Sequence, residues 1–433
     1  NVSLCAAYAM PALPLAALAL PLYVIVPTFY SDVIGLPIAA VGAILLAIRI
    51  LDALTDPLFG WLSDSFSYPG GRRRGFFLLS LPLTSISTFM LFWPPEDAGL
   101  GYLALWGMLV SIGYTWTMLP YTAWGAELAD DYTGRSRISA WREGSTLFGT
   151  LLAIGLPFSL GIEAQEGLNG LAAMAIVLAL GLPFAGVAAA WRVPEPIDRS
   201  TRKVRFSQSI RYIAANRPFL RLIAAFLLNG FANAILATLF LYFVSQRLGA
   251  PDLRGPLLFL YFVSAIAGVP IAIHASKKIG KHKAWCGAMI LSCLIFCGAG
   301  FLEHGDVYAF GTICITTGIL LGFDLALPPS IQADVIDYDT ASSGAQRSGF
   351  YFASWSLATK LSLAGAVGLV FPLLAAAGFD PQSASVGSAA LDTLSILYAW
   401  LPILPKMIAI GLMWNFPLGE TEQQELKRKI ATS

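Results

Sequence analysis

The sequence predicts an all-α membrane protein with twelve transmembrane helices in two six-helix halves of similar architecture. Three observations support this prediction. The 433 residues are 57% hydrophobic and only 12% charged, and the mean hydropathy is +0.69. Apolar stretches of about twenty residues, long enough to span a hydrocarbon core, recur along the whole chain. Two short motifs of the first half return in the second half.

The composition also limits the classes of partner. A soluble domain could not cover so much apolar surface with polar side chains, whereas a bilayer solvates it. The formal net charge of +1 excludes a bulk electrostatic attraction to nucleic acid. We therefore expect a monomer that contacts membrane lipid and a small-molecule solute, with no nucleic acid and no cofactor other than a coupling ion.

Twelve apolar segments can be marked off by length. The first contains Pro11, Pro14, Pro21 and Pro27, so we expect it to be kinked. The segments cover residues 5–30, 38–60, 76–94, 101–121, 138–161, 170–191, 219–245, 255–275, 284–302, 307–329, 350–376 and 391–416.

The basic residues predict the orientation. With both termini in the cytoplasm, the cytoplasmic loops and tail hold 20 of the 27 lysines and arginines, and the periplasmic loops hold Arg247 and Arg254. Inverting the topology would reverse this ratio, against the positive-inside rule. We therefore expect a bacterial inner-membrane protein with cytoplasmic termini.

A basic, proline-containing segment at 192–218 predicts a cytoplasmic linker between two bundles. The predicted domains are an N-terminal bundle at 1–191, the linker, a C-terminal bundle at 219–416 and a tail at 417–433. The linker contains an amphipathic run at 206–213, so we interpret it as a connector on the anionic inner leaflet. A regulatory site is the alternative.

The two halves resemble one another in sequence. The motif GRRRG at 71–75 is echoed by GKHK at 280–283, and LPYTAWGAE at 119–127 by LPPSIQAD at 327–334. These echoes lie 209 and 207 residues apart along the chain. Two independent echoes at nearly one offset indicate a parallel six-helix repeat. Such a repeat is similar to the major-facilitator architecture, with a site near the membrane midplane between the halves.

The second segment carries charges that a membrane helix should not contain. Arg49, Asp52 and Asp56 are spaced by three and four residues, which places them on one helical face. Each charge is costly in a bilayer, and two acids one turn apart repel unless a cation or a proton lies between them. The sequence therefore indicates a site for Na⁺ or a proton. An internal salt bridge from Arg49 to either acid is the alternative.

Other segments also carry charge. Lys360 lies in an apolar run of the eleventh segment and could pair with an acid of the second segment or reach towards the interface. Arg142 and Glu143 are adjacent in the fifth segment, so we expect them to point in different directions. Arg142 could then donate to a polar solute or anchor a loop. Asp324 in the tenth segment is a further acid with no assigned partner.

Three aromatic residues share segments with these polar side chains. Trp116 and Tyr121 lie in the fourth segment and Trp355 in the eleventh, so each could stack on a substrate ring. Tryptophan and tyrosine are also common in interfacial belts, which is the alternative interpretation.

Together these residues resemble the glycoside–pentoside–hexuronide:cation symporter family. The run RILDALTDPLFGWLSD at 49–64, followed by GRRRG at 71–75, is similar to the signature of that family. So are QADVIDY at 332–338 and QRSGF at 346–350. The similarity extends over essentially the whole chain and implies a major-facilitator fold with cation-coupled transport.

The resemblance also implies roles for particular residues. Asp52 and Asp56 would bind the cation with Thr55 and Thr115, although the family's melibiose carrier has asparagine at the position of Thr55. Lys360 matches a lysine of that family that interacts with the cation site, and we assign it to coupling.

We assign Arg49 to coupling as well, from its place one turn before the acids. Arg142 lies close to a family arginine that contacts sugar. The melibiose carrier holds its galactoside with two aspartates, and the matching positions here are Ala16 and Met118; its tryptophan on the fourth helix corresponds to Thr122. The predicted substrate site therefore comprises Arg142, Trp116, Met118, Tyr121 and Trp355, without the galactoside-binding acids.

The predicted function is secondary active transport by alternating access, with Na⁺ or a proton driving a sugar-like or anionic organic solute. Two alternatives remain, namely a proton-coupled exporter and a transporter-like protein that acts as an assembly factor or sensor. We predict no enzyme, because the sequence contains no nucleophile–base pair, metal cluster or nucleotide loop.

Overall fold

The computed structural model is helical throughout its described part, and no strand occurs among the described residues. The description covers residues 2–418 except 31–33, 66–67, 130–131, 160–166, 198–205 and 380–386. The chain divides into two compact units. Unit 1 comprises Asn1–Arg211 with Ser342–Ser354, and unit 2 comprises Tyr212–Ala341 with Trp355–Ser433. Most of the predicted tail at 417–433 lies outside the described residues.

Unit 1 is built from long helices joined by short connections. α4 packs on α5 and α7, α2 packs on α6, and α3 packs on α5. The helices are α1 (Val2–Ala9), α2 (Ala12–Thr28), α3 (Ile38–Ser65), α4 (Arg72–Phe92), α5 (Leu100–Glu127), α6 (Tyr132–Ser159) and α7 (Gly167–Arg192), and α8 (Phe206–Ala215) follows in the predicted linker.

The predicted kink of the first segment takes the form of a break at Pro11, between α1 and α2. Proline has no N–H and its ring clashes with the preceding turn, so the helix cannot continue regularly through it. Near this break the Tyr8 carbonyl accepts a hydrogen bond from the Tyr121 hydroxyl of α5, at 2.6 Å. The Tyr8 hydroxyl in turn donates to the Tyr121 carbonyl, at 2.9 Å.

Unit 2 repeats this helical construction. α15 packs on α9 and α11, and α10 packs on α11. Its helices are α9 (Arg217–Tyr242), α10 (Arg254–Ile279), α11 (Lys281–Ala299), α12 (Val307–Ser343), α13 (Ser348–Ala376), α14 (Ser388–Ser395) and α15 (Ile403–Met413). A π-helical turn at Ile396–Trp400 joins α14 to α15, so together they form the last predicted segment.

Within the described residues, ten helical stretches are long and apolar enough to cross a membrane, judged by length and composition alone. α3 and α6 are not among them. α3 carries Arg49 and three aspartates, and α6 carries three arginines and Glu143. The two helices that fail the composition criterion for a membrane span, α3 and α6, are therefore the ones that carry several charged residues, including candidate functional residues. Each of the twelve predicted segments nevertheless falls largely on helix, and the predicted fold is confirmed.

Candidate functional site

The two acids of α3 lie inside unit 1, where they share a partner from α5. Asp52 is 4% exposed and Asp56 is 1% exposed. The packing of α3 on α5 brings the buried Thr115 to both carboxylates. Its Oγ1 lies 2.8 Å from Oδ1 of Asp52 and 3.1 Å from Oδ1 of Asp56. The structure thus unites three of the four residues predicted to bind the cation.

One hydroxyl proton cannot satisfy two carboxylates, so Thr115 donates to one of them at a time. The like charges repel strongly where water is excluded, and a cation or a proton between them would remove that repulsion. The carboxylate and hydroxyl oxygens are hard donors, which suit a hard cation such as Na⁺. The donor set therefore fits either predicted coupling ion.

Thr55, the fourth residue predicted to bind the cation, is not part of this convergence. The hydroxyl of Thr55 donates to the backbone carbonyl of Asp52 at 3.2 Å, within its own helix. It is therefore occupied by a helical hydrogen bond rather than directed at the two carboxylates in this structure. Arg49 begins the charged face of α3 one turn earlier, and its side chain lies outside the described part of the structure.

The aromatic residues predicted to contact substrate from α5 make packing contacts in unit 1. Tyr121 is fully buried, its ring centroid lies 4.8 Å from that of Tyr8, and its hydroxyl is hydrogen-bonded. Trp116 stacks on Phe59 of α3, with a centroid distance of 5.5 Å. Met118 packs against the apolar cluster around Tyr121. Sequence spacing placed these residues on the correct helix, but their described contacts are those of a helix interface.

The expectation that Arg142 and Glu143 point in different directions is wrong. The Arg142 Nε donates to Oε1 of Glu143 at 3.0 Å, and Nη2 donates to the same oxygen. Adjacent residues on a helix do not face each other, but both side chains are long enough to fold back and meet. Arg142 is 6% exposed and also interacts electrostatically with Tyr8 and Tyr121. Part of its donor capacity is therefore already used inside unit 1.

The remaining predicted residues lie in unit 2, on α13. The ring of Trp355 stacks on Phe226 of α9, with centroids 3.6 Å apart and an interplanar angle of 25°. Lys360 follows five residues later and is partly exposed. Because the acids belong to unit 1 and Lys360 to unit 2, their pairing stays a prediction.

A buried charge cluster lies where the ends of α3 and α5 meet the start of α4. Sequence reasoning assigned no role to its individual members. Arg73 is fully buried and donates to Oδ1 of Asp64 at 2.7 Å and to Oε1 of Glu127 at 2.6 Å. It also donates to the carbonyl and hydroxyl of Ser63, at 3.0 and 2.6 Å. One guanidinium therefore ties the ends of α3 and α5 to the start of α4.

Asp64 also fixes the start of α13, in the part of that helix that belongs to unit 1. Its two carboxylate oxygens accept the backbone N–H groups of Gly349 and Phe350, at 2.8 and 2.9 Å. A carboxylate at a helix N-terminus satisfies free N–H groups and opposes the helix dipole. The approach depends on glycine, because a Cβ added at Gly60 would lie 2.7 Å from the carbonyl oxygen of Gly349.

Equivalent ion pairs occur at the repeated motifs of both units. In unit 1 the Arg72 Nη2 lies 3.1 Å from Oε2 of Glu127, and in unit 2 the Lys281 Nζ lies 2.6 Å from Oδ2 of Asp334. Lys281 follows Arg72 by 209 residues and Asp334 follows Glu127 by 207, which are the offsets of the two sequence echoes. The repeat thus preserves a physical contact, and the basic–acidic pairing of the motifs was the signal that could have predicted it.

The chain matches the MFS/sugar transport protein family over residues 7–420. It is 24% identical to the putative glycoside/cation symporter YagG of Escherichia coli (strain K12), with coverage of 93% of this chain and 89% of that protein. It is 26% identical to a putative sulfoquinovose importer of Salmonella typhimurium, covering 93% and 87%. It is 27% identical to a putative 2,3-dihydroxypropane-1-sulfonate exporter of the same organism, covering 89% and 87%.

The fold has a solved counterpart in the E. coli fucose:proton symporter FucP. That structure aligns with a TM-score of 0.69 over 96% of this chain and 98% of the other, at 13% identity. This likeness shows the same fold, and the family match identifies it as that of the major facilitator superfamily. Because the match extends over residues 7–420, the chain belongs to the MFS/sugar transport protein family. It is a multi-pass membrane transporter and not an enzyme, which confirms the predicted class.

Proposed function

We propose that this protein couples the movement of a sugar-like solute to a cation, and that Asp52, Asp56 and Thr115 form the coupling site. The observation that carries the proposal is the convergence of two buried carboxylates on one hydroxyl of a neighbouring helix. Acids buried in a membrane helix are costly and mark ion pathways. A relative whose name includes "glycoside/cation symporter" supports the same reading.

The proposed coupling uses Lys360 and Arg49 as positive charges that balance the carboxylates when the cation is absent. Binding of the cation would loosen these interactions, so the protein would have different contacts in its two states. Reciprocal linkage then makes the solute affinity depend on the cation and the cation affinity on the solute. Alternation of access to a site between the halves would convert this linkage into transport.

The proposed solute is sugar-like, and an anionic sugar is the first candidate. Ala16 and Met118 replace the galactoside-binding acids that the resemblance implied, so a neutral galactoside lacks its acceptors. Arg142 keeps N–H donors beyond those bonded to Glu143, and guanidinium donors favour carboxylate or sulfonate groups. The names of two relatives, for a sulfoquinovose importer and a sulfonate exporter, support this class.

Export is the second candidate for the direction of transport, because one of these relatives is named an exporter and another an importer. We propose import as the primary direction and place both termini in the cytoplasm of a bacterial inner membrane, from the distribution of basic residues.

A thermal-stability screen tests the coupling site directly. Purified protein is melted with candidate sugars and sulfonates, with Na⁺ or K⁺, across a range of pH, and hits are tested for uptake in proteoliposomes. Ligands that bind only the folded state raise the melting temperature. We expect an ion-dependent rise that weakens in Thr115→Val and is lost when both acids are replaced by asparagine. If the response to Na⁺ and to pH is unchanged in that double variant, the coupling site lies elsewhere.

A further inference from the structure

Unit 2 contains a buried charge cluster that the proposed transport cycle does not use. Lys406 of α15 is 2% exposed, and its Nζ donates to Oδ1 of Asn229 at 2.7 Å and to Oδ1 of Asn233 at 2.8 Å. The same Nζ lies 3.9 Å from Oδ2 of Asp324 on α12. An ammonium and a carboxylate inside a membrane bundle are costly, so their presence requires a reason.

Neutral donors hold the Asp324 carboxylate in place. The indole Nε1 of Trp285 donates to Oδ1 at 2.6 Å, and the Nδ2 of Asn233 donates to Oδ2 at 2.8 Å. Asn233 thus bridges the pair, with its oxygen on the ammonium and its nitrogen on the carboxylate. The ammonium is bonded to two amide oxygens and stays bound whether or not Asp324 is charged.

A small cavity borders the acid. It has room for about one water molecule, and it is lined by Asn233, Tyr261, Ser292, Thr317, Asp324 and Lys406 among others. The Asp324 side chain is 13% exposed, compared with 2% for Lys406. A separation of 3.9 Å between Nζ and Oδ2 exceeds a direct hydrogen bond. Oδ2 of Asp324 therefore has no direct hydrogen bond from the Lys406 ammonium.

The repeat shows that a polar cluster at the equivalent sequence position does not need charge. In unit 1 the hydroxyl of Thr117 lies 2.8 Å from the hydroxyls of Ser80 and Thr84, and these groups join α5 to α4 without charge. Asp324 follows Thr117 by 207 residues, the offset at which Asp334 follows Glu127. Unit 2 therefore has a titratable acid where unit 1 has a hydroxyl.

We propose that Asp324 is a proton-binding site, separate from the carboxylate pair of α3, and that Lys406 holds it ionised until the proton arrives. A proton taken up from the bulk solvent adds to Oδ2, and the net charge of the Lys406–Asp324 pair rises from zero to +1. The new O–H then faces the Nδ2 donor of Asn233. Proton binding therefore weakens the contact between α9 and α12.

Other titratable side chains also lie near the pair. Tyr261 of α10 and Cys293 of α11 interact electrostatically with Asp324, and Cys293 also interacts with Lys406. Cys314 of α12 and Cys297 of α11 interact with Tyr261 and Cys293, respectively. On α9, the partners of the pair are amides. Among the side chains named here, Asp324 is the one carboxyl group.

Infrared difference spectroscopy of the purified full-length protein tests this assignment without a transported solute. Acidification of the wild type should produce the carbonyl band of a protonated, buried carboxyl group. The Asp52→Asn, Asp56→Asn double variant should lose any carbonyl band that those two acids contribute. We expect the band of protonated Asp324 to persist in it. When Asp324→Asn is combined with these two substitutions, the Asp324 band should be lost completely.

Two outcomes would overturn the proposal. One is a wild-type spectrum in which no band depends on Asp324 across the acid range, which would make the cluster a fixed ion pair. The other is a band that survives Asp324→Asn. If Asp324→Asn alone fails to fold, the Asp324→Asn, Lys406→Met double variant removes both charges and permits the same measurement. Asp52 and Asp56 are already replaced by asparagine in the variants that test Asp324. Failure of the proton site at Asp324 can therefore be distinguished from failure of the cation site on α3.

Discussion

Replacement of Asp64 by asparagine should destabilise the protein strongly. The carboxylate of Asp64 is fully buried and has three short contacts, with Arg73 Nη2 at 2.7 Å and the N–H groups of Gly349 and Phe350 at 2.8 and 2.9 Å. The amide that replaces it brings an NH₂ group towards existing donors and leaves the Arg73 charge with less compensation. Removal of one partner from a buried ion pair costs about 3–5 kcal/mol.

This cost should lower the melting temperature by on the order of 10 °C, since 1 kcal/mol corresponds to about 2–4 °C in domains of comparable size. A thiol-reactive dye can follow the transition, because Cys5 of unit 1 and Cys286 of unit 2 are buried and become reactive on unfolding. Asp97→Asn at an exposed site is the matched control and should melt like the wild type. If Asp64→Asn also melts like the wild type, the cluster does not stabilise the fold.

Three further predictions concern topology, substrate and coupling. Single cysteines should react with an impermeant thiol reagent from outside at Asp97→Cys and should be protected at Ser200→Cys; the reverse pattern would contradict the orientation. Arg142→Ala should weaken binding of an anionic solute about tenfold or more, from loss of a charge-assisted hydrogen bond worth about 1.5–3 kcal/mol, and tight binding of a neutral galactoside by both proteins would exclude this role. Lys360→Ala should impair solute accumulation by leaving a buried acid uncompensated, and normal accumulation would exclude the predicted pairing.

The features most accessible to sequence reasoning were those tied to membrane physics and to repetition. Segment length and hydropathy predicted the helices because a bilayer sets a minimum apolar length. The spacing of Asp52 and Asp56 predicted a shared helical face, and the resemblance added Thr115, which the packing of α3 on α5 then brings to both acids. The motif offset predicted a repeat, and the ion pairs at Glu127 and Asp334 show that the repeat preserves contacts.

Side-chain direction was harder to predict. Tyr121 could have faced a cavity or a neighbouring helix, and only the tertiary structure shows that its ring stacks on Tyr8. Arg142 and Glu143 bend towards each other because long side chains can escape the helical geometry that separates adjacent Cβ atoms. The partners of Asp324 come from three other helices, and a pairing that joins distant parts of the chain has no local signal in the sequence.

The central claim is that the acid pair couples the cation to the solute. It is tested most directly by measuring concentrative uptake and solute exchange in proteoliposomes with the Asp52→Asn, Asp56→Asn double variant. The solute is one identified by the thermal screen, and the wild type is measured in parallel. We expect uptake against a gradient to be abolished while exchange at equal concentrations persists, because exchange does not require net ion movement. If the double variant still concentrates its solute against a gradient, the coupling site is not at these carboxylates.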